Sequence, residues 1–131
     1  CHYPTPESVL YKTRDGAVRI ARVSSAAALG DAVWAVGGMG LLGNYNPAAE
    51  GFTGAFSDVL RKTNHTVLGY KGGLLYGVYC RSMTAQQINA LCRDKLKLDY
   101  AVMLDGGHAA INGACSKINT NQRQYYAVRF L

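Results

Sequence analysis

The stretch YAVMLDGGHAAI, residues 100–111, runs an apolar strand-like segment straight into Asp105, Gly106, Gly107 and His108. A carboxylate at the carboxyl end of a strand, followed by backbone without side chains, is a common way of building a small-molecule site. The glycines admit positive φ and let a ligand touch main-chain N–H groups, which can hold an anion. His108 can serve as acid, base or cationic phosphate partner near neutral pH. The plainer alternative is a tight turn in which Asp105 caps the next segment. A second glycine cluster, Gly37, Gly38 and Gly40, also follows an apolar run. Its G-G-x-G spacing is not the dinucleotide fingerprint, and no G-K-S or G-K-T of a Walker loop occurs.

Three further side chains fit the same chemistry. Arg81, just past a strand-like segment, offers the bidentate grip that suits phosphate, although a solvated surface arginine is the commoner role. His65 opens another such segment and reads equally as a strand-end polar residue. Asn112 can bond a sugar hydroxyl or turn the chain with Gly113. Nucleophilic catalysis has little support: there is no G-x-S-x-G, and the cysteines, at positions 1, 80, 92 and 115, have no adjacent histidine motif. A two-carboxylate glycosidase would need a partner for Asp105. None of Glu7, Asp15, Asp31, Glu50, Asp58, Asp94 and Asp99 is plainly placed for it. No metal cluster is discernible and no cofactor is expected.

The elements that must position these residues are legible in outline. AVRIARV, residues 17–23, alternates as a half-buried strand, and DAVWAV, residues 31–36, reads as a buried one. Glycine, asparagine and proline mark residues 37–47 as a loop. Residues 56–62 suggest a helical turn, and residues 65–70 and 74–80 flank Lys71-Gly72-Gly73 as a hairpin. Residues 84–96 form the clearest element. Thr84 with Gln87 makes a capping box, while Ile88, Leu91, Cys92 and Leu96 share one helical face. With the strands on either side, this helix predicts a β-α-β unit with a right-handed crossover and parallel strands. Residues 124–131, QYYAVRFL, read as a closing strand. The expected fold is α/β, in the broad sense of mixed α+β: a mixed sheet with a β-α-β unit and an amphipathic helix packed on it. Ligands of open parallel sheets lie beyond the carboxyl ends of the strands, which is where Asp105 would sit.

Bulk properties bound the function. The 131 residues make one domain, 1–131, with 49% hydrophobic and 17% charged residues and a net charge of +6. That charge favours an anionic partner. Yet lysines and arginines are scattered from Lys12 to Arg129, without the aromatic-interleaved basic stripe of a nucleic-acid face. No apolar run nears the ~18 residues of a membrane span. The cysteine spacing fits neither zinc nor a disulfide framework, so reduced structural thiols and a cytoplasmic setting are expected. The chain opens at Cys1 without an initiator methionine or a secretory signal, which reads as the edge of a longer sequence or as processing. A mature Cys1 would be open to lipid attachment.

Taken in order, these pieces resemble the phosphodiester glycosidase family, relatives of the enzyme that uncovers mannose 6-phosphate by removing N-acetylglucosamine. WAVGGMGLL is similar to the family's strand–G-G–apolar segment, and HTVLGY to its R-T-A-x-G strand. GVYCRSMTAQQINAL is similar to its D-G-R strand end and M-T helix start. VMLDGGHAAI is similar to its N-L-D-G-G-G-S-S/T. The likeness covers roughly residues 31–113. It implies hydrolysis of a sugar-1-phosphate diester at the glycosidic side. Asp105 and His108 would be the reacting pair with His65 in support, and Arg81, Gly37, Gly38, Gly106, Gly107 and Asn112 would hold the phosphorylated ligand. Departures accompany the likeness. His65 stands where the family has arginine, His108, Ala109 and Ala110 replace a glycine and two hydroxyl residues, and the family's N-terminal portion is not recognisable. A non-catalytic binder that sequesters a sugar or nucleotide phosphate in the same cleft is therefore the alternative. The missing portion also points to self-association, with a second subunit covering exposed sheet.

Overall fold

The computed structural model describes residues 5–53 and 59–106, the last two of these by backbone alone. Six strands form one sheet: β1 (Glu7–Thr13), β2 (Val18–Val23), β3 (Ala32–Gly40), β4 (Thr63–Lys71), β5 (Leu74–Met83) and β6 (Tyr100–Gly106). Their order is β2-β1-β3-β6-β4-β5, and every neighbouring pair is antiparallel. Among the described residues there is a single α-helix, α1 (Ala85–Asp94), with short 3-10 turns in the connections.

This corrects the expected fold class. Over the described residues the protein is predominantly β, an antiparallel sheet with one helix, and not an α/β fold with a parallel β-α-β unit. β5 and β6, the strands either side of α1, do not pair. β4 lies between them and is antiparallel to both. The hairpin explains why. Gly72 and Gly73 take φ of 56° and 87°, a two-residue reversal that lays β5 directly on β4. β6 then adds to the other edge of β4, whose Val67 and Leu68 are buried on opposite faces of the sheet. Against β5, where Leu74, Leu75 and Tyr76 stay exposed, its apolar residues would have gained far less burial. The expectation that a site lies beyond the ends of parallel strands loses its premise with that topology.

Each face of the sheet carries part of the core. On one, α1 packs Ile88 and Cys92 against Met39, Val67, Cys80 and Met103. On the other, Leu10 of β1 shares a cluster with Leu68 of β4 and Val102 of β6. In a flat sheet β1 and β4, three places apart, would be about 14 Å from each other. Val102 of β6 links the two, and β1 and β2, two and three places from β6, both come into contact with it, so the sheet curls.

Helix α1 forms as its sequence predicts. The Thr84 hydroxyl accepts the Gln87 N–H at 3.2 Å, and the Gln87 side chain accepts the Thr84 N–H at 2.9 Å. The glycine-rich segment after residue 36 behaves otherwise. Expected as a loop, it continues β3 through Gly40, and none of Gly37, Gly38 and Gly40 has positive φ. The expected turn at 56–62 lies partly, and the strand at 124–131 wholly, outside the described residues.

Candidate functional site

Strand register brings three of the expected site segments together. His65 on β4 is paired with Gly106 of β6 on one side and with Cys80 of β5 on the other. Both pairings slip by a residue beside it. Toward β5, the next pair is Thr63 with Met83, so Asn64 alone faces Arg81 and Ser82. Toward β6, the next pair is Val67 with Met103, so Thr66 alone faces Leu104 and Asp105. Two β-bulges thus flank His65, one containing Arg81 and the other Asp105. Bulges break the ladder and re-aim side chains, and they concentrate beside active sites.

The His65 imidazole is 1% exposed. Its Nε2 lies 3.3 Å from the Arg61 carbonyl oxygen. Donation from Nε2 leaves Nδ1 of a neutral ring as an acceptor lone pair, and that atom is buried without a hydrogen-bond partner among the described residues, as is the Thr66 hydroxyl. A buried polar atom without a partner is costly, and such atoms gather at functional positions. Arg61, Lys62 and Arg81 are exposed around the same corner. The corner therefore joins a sealed imidazole to a basic rim.

Gly37 and Gly38 lie on β3. Gly38 abuts the main chain of Met103: a Cβ there would stand 2.6 Å from the Met103 carbonyl oxygen. That is three residues, about 10 Å, short of Gly106 along β6. Gly37 lies under the carboxylate of Glu7. These glycines accommodate close neighbours within the sheet. Gly107, His108 and Asn112 lie outside the described residues.

A second polar cluster had no clear signal in the sequence. The Glu50 side chain, 1% exposed, ends the 3-10 turn Pro47–Glu50 and reaches back between β1 and β3. It accepts the Ser8 N–H at 2.8 Å and the Gly40 N–H at 3.2 Å, and Arg22 Nη2 lies 3.4 Å away. Arg22 also donates to the Asn44 carbonyl at 2.6 Å. Burial, reinforced by the Glu50 carboxylate, pushes the nearby Glu7 carboxyl above its ordinary value. The only hint in the sequence was local, Asn46 before Pro47 as a helix-start pair. The bulge at Arg81 did have a signal. Cys80 and Met83 are apolar residues three apart in a strand, with Arg81 and Ser82 between them, which breaks the period of two.

Among the described residues, no three His, Cys, Asp or Glu side chains gather as metal ligands, and no helix is long and apolar enough to cross a membrane. Compared with protein-family models, curated proteins and solved structures, the chain matches none. The phosphodiester glycosidase resemblance therefore stands on its sequence motifs.

Proposed function

We propose that the bulged corner around His65 takes a sugar or nucleotide phosphate and that the chain hydrolyses its glycosidic bond, as phosphodiester glycosidases do. The observation that carries this reading is the pair of bulges that set Arg81 and Asp105 on either side of one buried imidazole. Arg81, with Arg61 and Lys62 on the rim, neutralises the phosphate. Asp105 and His108 divide the acid and base roles. Water adds to the anomeric carbon and gives up a proton to the base. The bond from that carbon to the phosphoester oxygen breaks, and the phosphate leaves with its charge stabilised. His65, whose Nδ1 has no partner among the described residues, supports the pair.

Two observations favour the second reading, a binder that does not cut. His65 is sealed from solvent, and the hydroxyls of the family's motif are alanines in this chain. The two readings separate in one experiment. The pure chain is incubated with UDP-N-acetylglucosamine and followed by phosphorus NMR. Hydrolysis yields UDP and free N-acetylglucosamine, and His108→Ala abolishes it while affinity stays within a few-fold. Tight binding with the nucleotide sugar recovered intact would replace the hydrolase by the binder. No binding and no turnover would refute both.

A further inference from the structure

We infer that Asn64 is a positioning residue for Arg81, acting through the backbone of Ser82; the inference rests on the proposed anion site. Ser82 has φ of 51°, a left-handed conformation that L-residues other than glycine, asparagine and aspartate seldom hold. Its N–H donates to Asn64 Oδ1 at 3.0 Å. Asn64 is also the residue that alone faces Arg81 and Ser82 across the bulge. The side chain that bonds the strained residue thus comes from the one position opposite the extra residue.

This contact decides where the guanidinium goes. Cys80 is buried in the cluster beneath α1, and Met83 packs against the same cluster. A regular strand turns alternate residues to opposite faces, so residues three apart cannot both face the helix. The extra residue reconciles them. It leaves Arg81 and Ser82 both exposed between two inward-facing side chains. If Ser82 relaxes to extended backbone, the register slips by one residue, and a slip of one reverses every side chain beyond it. Arg81 or Met83 must then change face. Losing the Asn64 bond should lower the equilibrium constant for the competent arrangement about fivefold, and apparent affinity falls by that factor once the arrangement becomes the minor one.

The test is calorimetric titration of the full chain with UDP-N-acetylglucosamine. Arg81→Ala is expected to weaken binding about tenfold or more, and Asn64→Ala about fivefold. Asn64→Ala should add little on top of Arg81→Ala. Ser82→Gly, which adopts positive φ without help, should restore affinity to Asn64→Ala. Thermal unfolding of each variant checks that it is folded, and the rescue distinguishes positioning from general damage. If Arg81→Ala weakens binding but Asn64→Ala does not, the positioning role is wrong and the site stands. Failure of Ser82→Gly to restore affinity also overturns the role. If Arg81→Ala binds as wild type does, the site itself is misplaced and this inference falls with it.

Discussion

Removing the buried carboxylate of Glu50 should cost about 3–5 kcal/mol, the range for a buried ion pair broken at one partner. Glu50→Ala removes the carboxylate that accepts the Ser8 and Gly40 N–H groups. Each unsatisfied buried donor costs about 1–3 kcal/mol. Arg22 is partly exposed and keeps its bond to the Asn44 carbonyl, so its loss adds less. Glu50→Gln retains one acceptor oxygen but turns an amide toward an N–H, and should cost about half as much. The assay is equilibrium urea unfolding. With a slope of about 2 kcal/mol per M, Glu50→Ala lowers the midpoint by about 2 M. Asp94→Ala is the control: its ion pair with Arg93 is exposed on both sides, and its loss should leave the midpoint essentially unchanged. A Glu50→Ala cost under about 1 kcal/mol at unchanged slope would show that Glu50 does not clamp β1 to β3.

Three other outcomes follow from the same structure. Gly38→Ala forces a Cβ against main chain and should destabilise by about 1–3 kcal/mol. Gly37→Ala meets only the movable end of Glu7 and should cost well under about 1 kcal/mol, both by thermal unfolding. Glu7 has a folded-state pKa raised above 4.5 by burial and then by Glu50, so the fold binds its proton more tightly than the unfolded chain does. Its stabilising contribution is present below the unfolded value and is lost as pH rises through the folded one. Glu7→Gln should therefore gain on wild type between pH 4 and 7, by less than about 1 kcal/mol because Glu7 is largely exposed; an advantage that shrinks with rising pH would contradict this. Cys80 and Cys92 are buried free thiols, and burial, then Cys80 nearby, pushes Cys92 up to about 11. Both should react with a thiol reagent at pH 8 only as the chain unfolds. Fast labelling of the native chain at either position would place them at the surface.

What could be read in advance was local. Thr84, Gln87, Ile88 and Cys92 specify α1 within a few residues of one another, and Gly72-Gly73 specifies the hairpin. Strand order was not local. Which edge of β4 receives β6 depends on how much apolar surface each edge buries after the hairpin has formed. The same holds for Gly37 to Gly40, where glycine signalled a loop but answers to neighbours distant in sequence, Glu7 and Met103. Glu50 looked like a loop acid because its partners, Ser8 and Gly40, are 42 and 10 residues away. Of the candidate site, His65, Arg81 and the Asp105–Gly106 segment converge. Gly37 and Gly38 sit against Glu7 and Met103.

The most direct test of the central claim is an amide chemical-shift titration of the isotopically labelled chain with UDP-N-acetylglucosamine. The account predicts that the largest changes fall at His65, Arg81, Ser82 and Gly106, with little at Ser8, Gly37 and Gly38. Saturable changes confined to β1 and β3, with the His65 corner unmoved, would contradict it.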